Sequence, residues 1–132
     1  MTAVSRYLLD TTVLIDVSKE AQPISTQVDA LLRGPDIVGV CAVNVVEFFS
    51  GLAEDERLLW RSFIDQLVYW EITAAAAFQA GILRYALARR GRQLSTQDAL
   101  IAATAIDVGA TLITSNVKDF DLPGLALLRL PG

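Results

Sequence analysis

Five short apolar runs of β character are separated by stretches of helical period, and this alternation limits the possible fold more than any other feature of the chain. The runs are "RYLLD", "DIVGVCAV", "VYWEIT", "ATLITSN" and "LALLRL". Between the first two lie "TTVLIDVSK" and "ISTQVDALLR", the latter opened by Pro23 and stopped by Gly34-Pro35. "VNVVEFFSGLA" and "EDERLLWRSFIDQL" follow the second run, and the acids that begin the latter suit the positive end of a helix dipole. "AAAAFQAGILRYALARRG" and "STQDALIAATAIDVG" separate the third and fourth runs, each with a glycine stop. "VKDFDLPG" reads as a loop or one helical turn. Strands alternating with helices predict an α/β sandwich with a mainly parallel sheet. Such sheets place ligand sites at the carboxyl ends of strands, near the point where strand order reverses. Asp10 and the Ser115–Asp119 segment both follow predicted strands and so fall on that edge.

Composition narrows the chemistry. At 132 residues the chain suits one domain, predicted to span 1–132, large enough to fold without disulfides or a structural metal. It contains no histidine, which removes Ser-His-Asp triads, Cys-His dyads and histidine-ligated zinc together. The single cysteine, Cys41, lies in the apolar run "IVGVCAV" and reads as a buried small hydrophobe. One cysteine cannot build a disulfide framework, which agrees with a cytoplasmic setting. Hydrophobic residues make up 53% of the chain, but no run approaches the roughly 18 apolar residues a spanning helix needs. The N-terminus has no long apolar stretch before Asp10, so neither a signal peptide nor membrane association is expected. The excess apolar surface suits a partner-binding face. A net charge of −4 argues against bulk electrostatic binding of nucleic acid, although Arg84, Arg89, Arg90 and Arg92 bunch locally.

Catalysis in such a chain falls to carboxylates, Lys, Ser/Thr, Tyr or a metal bound through oxygen, and each candidate carboxylate has two readings. Asp10, between a strand and a helix, is either an N-cap or a carboxylate held on a rigid strand end. Glu47 shares a narrow helical strip with Asn44, Ser50 and Gly51, which faces either solvent or a cleft. Asp98 forms a capping-box pattern with Ser95, yet shares its face with Ile101, Ala102 and Ala105, where an unpaired charge is costly. Asn116 and Asp119 in "TSNVKDF" could cap a turn. Asp107 reads as a surface residue. The set is more telling than its members: Asp10, Glu47, Asp98 and Asp119 sit at element junctions or narrow strips, whereas acids such as those of "AEDER" lie in exposed stretches. Carboxylates converging on one site stay ionised around cations, and hard oxygen donors suit Mg²⁺ or Mn²⁺. Such a site activates water and neutralises a phosphodiester without histidine.

"LLDTTVLID", "VNVVEFFSGL", "LSTQDALIAATAIDVGATLITSN" and "VKDF" resemble, in order and spacing, the motifs of PIN-domain proteins and, more narrowly, of VapC-type ribonuclease toxins. The resemblance runs from Tyr7 to the closing "LPGLALLRLPG" and is most specific over "DALIAATAIDVGATLITSNVKDF". It implies a three-layer α/β/α sandwich and metal-dependent RNA hydrolysis leaving 5′-phosphate and 3′-hydroxyl ends. Asp10, Glu47, Asp98 and Asp119 take the catalytic positions. Asp10, Asp98 and Asp119 are the expected ligands of one or two Mg²⁺ or Mn²⁺ ions, with Glu47 acting through water. Thr114 and Asn116 are supporting polar residues, Thr114 through a hydroxyl near metal or phosphate. The fourth acid position lies between Asp119, which is preferred, and the Asn116 region. Thr12, a further supporting polar residue, stands where the family commonly has Asn, which removes an Asn-mediated orientation of Asp10 and leaves the acids intact. Arg84, Arg89 and Arg92 are candidates for holding RNA through phosphate contacts, against the alternative of a solvated helix end. The resemblance also implies a small VapB-type antitoxin as partner, with a groove along Phe48, Phe49, Trp60, Phe63 and Ile64, and a homodimer.

Two rival classes remain at this level. A haloacid-dehalogenase-like phosphatase would use Asp10 as nucleophile, but its motif wants a second Asp where this chain has Thr12. A non-catalytic PIN-like binding domain would not need the full set of acids.

Overall fold

The computed structural model describes residues 3–131. Its elements, in order, are β1 (Arg6–Leu9), α1 (Thr11–Ser18), α2 (Ile24–Arg33), β2 (Ile37–Cys41), α3 (Ala42–Ser50), α4 (Glu54–Asp65), β3 (Val68–Trp70), α5 (Ala74–Arg89), α6 (Thr96–Val108), β4 (Thr111–Ile113) and β5 (Leu127–Leu128). Each follows from the local pattern described above. The strands pair in the order β3-β2-β1-β4-β5, and all four pairings are parallel. The chain runs from β1 outward through β2 to β3, then crosses back to β4 on the other side of β1. Strand order therefore reverses between β1 and β4, and a crevice is expected at their carboxyl ends.

Successive residues of a strand face opposite sides of the sheet, and this splits the core in two. Leu8, Cys41 and Leu112 face α5 and α6, whose contribution is largely alanine: Ala76, Ala80, Ala99, Ala102, Ala103 and Ala105. Small side chains let these two helices lie close to the sheet. Leu9, Val40 and Ile113 face the other way, against Val13, Leu14, Val28, Phe48 and Ile64 of α1 to α4. The result is the expected α/β/α sandwich.

Strand ends differ from the sequence expectation, for local reasons. "DIVGVCAV" reads as β through Val43, but α3 begins at Ala42. Asn44 Oδ1 accepts from the Cys41 N–H at 3.0 Å and from Cys41 Sγ at 3.3 Å, and so starts the helix early. "VYWEIT" pairs only over Val68–Trp70, because Thr73 already caps α5 by accepting from the Ala76 N–H at 3.0 Å. Gly39 of β2 has a packing reason to be glycine. A Cβ there would lie 2.6 Å from Trp70 Cζ3 and 2.7 Å from the Val68 carbonyl, too close for either to remain in place.

Candidate active site

Asp10 occupies the N-cap position of α1, but its side chain makes no capping bond. Its backbone carbonyl takes the first helical bonds, from the N–H groups of Val13 and Leu14. The carboxylate is 4% exposed and turns toward β4. Its Oδ2 accepts from Thr114 Oγ1 at 2.7 Å and from Thr12 Oγ1 at 3.1 Å. Both hydroxyls converge on one oxygen, so Oδ1 takes no hydrogen bond among the described residues. Thr12 thus orients Asp10 through its hydroxyl, and it also accepts from the Ser115 N–H at 3.4 Å. Thr114 is 1% exposed, and its hydroxyl donates to Asp10.

The other acids approach from three separate elements. Glu47, exposed on α3, accepts from Thr11 Oγ1 at 2.7 Å, so it leans across to the residue beside Asp10. Asn44, its expected neighbour on a polar strip, is fully buried and caps α3 instead. Asp98 lies in the first turn of α6, whose N-cap Ser95 Oγ accepts from the Asp98 backbone N–H at 3.0 Å. The cap itself is made by the backbone N–H, and the Asp98 carboxylate also interacts with the Ser95 side chain. Asp119, exposed, accepts from Asn116 Nδ2 at 2.9 Å. Thr114 Oγ1 accepts from the Asn116 N–H at 2.9 Å, so one chain of bonds joins Asp10, Thr114, Asn116 and Asp119.

Electrostatics tie the four together. The Asp98 carboxyl is raised above its ordinary value, first by burial and then by the charge of Asp10; Glu47 and Asp119 add to this, while hydrogen bonding with Ser95 opposes it. Burial also raises the Cys41 thiol; the Asn44 and Val43 backbone groups oppose this, and Glu47 and Asp10 add to it. Cys41 is therefore a neutral core side chain rather than a nucleophile.

No lysine or arginine pairs with any of these four acids among the described residues; the ion pairs there are Arg33–Asp29 and Arg61–Asp65, both on exposed helix faces. No three acids among the described residues are gathered tightly enough to hold an ion as they stand. Bare carboxylates repel one another, and a cation between them reverses that force. An all-oxygen donor set, a buried Asp10 without a cationic neighbour and a free Oδ1 fit a hard divalent ion. Support of that kind from a second layer is expected to matter. Thr114→Val, which keeps shape and removes the hydroxyl, should lower divalent-metal affinity by about 10–100-fold, read by calorimetric titration.

Two groups of this site were not singled out in the sequence. Thr11 is the hydrogen-bond partner of Glu47. Its signal was its place beside Asp10 in "DTT", where two adjacent hydroxyls serve two different acids. The Asn44 cap was signalled by the Cys41-x-x-Asn44 spacing, in which a third-position side chain reaches back to the N-cap. The arginines divide. Arg84 and Arg92 line a cleft with Asp98, whereas the Arg89 guanidinium lies over the Tyr85 ring at 4.4 Å.

A parallel sandwich with an acid cluster at its strand-order reversal defines a class also found in known proteins. The PIN domain profile matches residues 7–123. The chain belongs to the PIN-domain family. It is 30% identical over 117 residues to Ribonuclease VapC19 of Mycobacterium tuberculosis, covering 87% of this chain and 92% of that protein. It is 26% identical over 128 residues to Ribonuclease VapC2 of Rickettsia felis, covering 92% and 95%. Among solved structures it is similar to VapBC2 of Rickettsia felis bound to a promoter DNA fragment, with a TM-score of 0.81 and 25% identity over 96% of this chain and 99% of that one. DNA-bound VapBC of Salmonella typhimurium shares the fold, with a TM-score of 0.81 at 22% identity over 96% and 98% of the two chains.

Proposed function

We propose that this chain is an endoribonuclease of the VapC type, the toxin of a toxin–antitoxin pair. The observation that carries the reading is that Asp10, Glu47 and Asp119 all act electrostatically on Asp98, while no lysine or arginine forms an ion pair with any of the four among the described residues. Asp10, Asp98 and Asp119, with Glu47 through water, would hold Mg²⁺ or Mn²⁺, which supplies water activation and neutralises charge developing on the phosphodiester. The chain's own part is positioning. Thr12 and Thr114 fix the rotamer of Asp10, Thr11 draws Glu47 inward, and Asn116 holds Asp119. Hydrolysis with a water nucleophile leaves 5′-phosphate and 3′-hydroxyl ends.

Thr12 argues against phosphatase chemistry, since its hydroxyl is spent on Asp10 where that mechanism needs a second acid. The full acid set argues against a purely binding role. An antitoxin of VapB type fits the apolar ground around α3 and α4. Phe48 belongs to the core, but Ile64 also lines a cavity of about 500 Å³ with Val45, Phe49, Arg61, Asp65, Leu67 and Tyr69. Val46, Leu58 and Leu59 are exposed nearby on the same two helices. Exposed Phe78 and Ile82 on α5 suit a homodimer contact. Among the described residues no helix is long and apolar enough to cross a membrane; the proposed RNA substrate favours a cytoplasmic location.

The test is RNA cleavage by purified, antitoxin-free protein with Mg²⁺ or Mn²⁺, with EDTA, and with Asp10→Ala. Cleavage that stops in EDTA and in the variant, leaving 5′-phosphate ends, supports the reading. Undiminished cleavage by Asp10→Ala overturns it.

A further inference from the structure

A cleft of about 800 Å³ runs between α5 and the start of α6. That lies within the roughly 300–1,000 Å³ of pockets that enclose small-molecule-sized ligands. Its walls include Arg84, Tyr85, Arg92, Ser95 and Asp98. Asp98 is one of the four acids, so the cleft reaches the candidate site on the Asp98 side.

The two arginines are built in by neutral anchors. Arg84 Nε donates to the Leu94 carbonyl at 2.9 Å, and Arg92 Nη1 donates to the Asp121 carbonyl at 3.0 Å. Neither has a carboxylate partner among the described residues. Each guanidinium is thus held in place with its charge uncancelled and further N–H groups free. The turn that ends α5 puts Arg92 there. Gly91 adopts φ +75°, and the Arg92 and Gly91 N–H groups return to the Leu87 and Ala88 carbonyls at 2.9 and 3.1 Å. This is the Schellman closure, and it needs glycine at that left-handed position. The chain is thereby folded back so that Arg92 faces the same space as Arg84, eight positions earlier on the helix.

We propose that Arg84 and Arg92 form a phosphate clamp for single-stranded RNA, gripping the backbone next to the phosphodiester being cut, with Tyr85 supporting the flanking nucleotide. The inference rests on the ribonuclease reading above and assigns it a binding subsite. The chemistry is complementary: the guanidinium fork matches phosphate oxygens, and aromatic rings accept unpaired bases. It also answers an electrostatic problem. A chain of net charge −4 with four clustered acids repels RNA, and fixed positive charge beside Asp98 offsets that repulsion where the strand must enter. Arg89, resting on Tyr85, braces the ring and is not part of the clamp.

The test uses a short fluorescent single-stranded RNA and anisotropy in EDTA, which prevents turnover and removes any metal bridge. The variants are Arg84→Gln, Arg92→Gln and their double, with Arg57→Gln on α4, across the sheet, as control. Circular dichroism checks the fold, and Arg84→Lys restores charge without the fork. The double variant should bind about tenfold more weakly, and the slope of log K against log salt should fall by about 0.7 for each phosphate contact removed. Arg84→Lys should recover part of both, and the control neither lose affinity nor change slope. Wild-type affinity and slope in a folded double variant, while the wild type cleaves RNA, would overturn the clamp alone. An equal loss in Arg57→Gln, or a polyglutamate peptide that binds in the same arginine-dependent way as RNA, would also overturn it. A wild type that neither binds nor cleaves RNA would overturn the ribonuclease reading, and the clamp with it.

Discussion

Asp98→Asn is expected to cut RNA at least about 100-fold more slowly than the wild type and yet to melt at a higher temperature in EDTA at neutral pH. The two effects share one cause. Burial, then the charge of Asp10, raises the Asp98 carboxyl above the ordinary 3.8. The folded chain therefore holds a proton that the unfolded chain has released, in the window between 3.8 and the raised value. Stability falls as pH climbs through that window and stays lowered above it. Asparagine carries no charge, so the variant escapes the penalty. The backbone cap survives, because Ser95 Oγ accepts from the N–H of residue 98, while the hydrogen bonding with Ser95 that favours the charged carboxylate is weakened and trims the gain. The stability advantage should vanish below pH 3.8, where both chains are neutral at this position. Divalent metal should narrow it from the other side by stabilising only the wild type. Thermal melts over a pH series give the sign directly, and a variant less stable than wild type at neutral pH would refute the repulsion. Active sites commonly hold such unfavourable charge at the expense of stability.

The second large effect concerns the helix that carries Glu47. Phe48 is 2% exposed, with ring centroids 5.6 Å from Phe49 and 6.1 Å from Trp60, both edge-on. Phe48→Ala opens a cavity where α3 meets α4 and the sheet. The expected loss is about 3–5 kcal/mol, out of the 5–15 kcal/mol typical of whole domains. Urea unfolding followed by tryptophan fluorescence measures it, since Trp60 lines the cavity. A loss under about 1 kcal/mol would mean that α3 is not anchored as described.

The order of elements was legible because period-2 and period-3.6 patterns are local and three of the helices had a glycine stop, at Gly34, Gly91 and Gly109. Strand ends were less so. Nothing in "VCAV" alone says that Asn44 turns inward and starts α3 at Ala42. The candidate acids could be chosen from their junction positions, but their supports could not. Asp10 does sit at an N-cap, as its neighbours suggest, yet its partner Thr114 is 104 positions away. Position and bond were separable, and only tertiary structure could separate them. The Asn116–Asp119 pair, three residues apart, was visible as a local helper, and the structure joins it to Asp10. The arginine cluster was visible as a cluster. Its division into a cleft pair and a ring-stacked member depended on Leu94, Asp98 and Asp121, which lie in the following loop, the next helix and a distant turn. The apolar run from Phe48 to Ile64 mixed core and surface, because aromatic content does not reveal which face of a helix is covered.

The central claim is that Asp10, Glu47, Asp98 and Asp119 form one divalent-cation site. Calorimetric titration of Mn²⁺ into the purified chain, with single Asp10→Asn, Glu47→Gln, Asp98→Asn and Asp119→Asn variants, tests it most directly. Saturable binding by the wild type, weakened about tenfold or more by each substitution and accompanied by a rise in melting temperature, is the expected result. Absence of Mn²⁺ binding by the folded wild type, or variants that bind as tightly as it does, would contradict the claim.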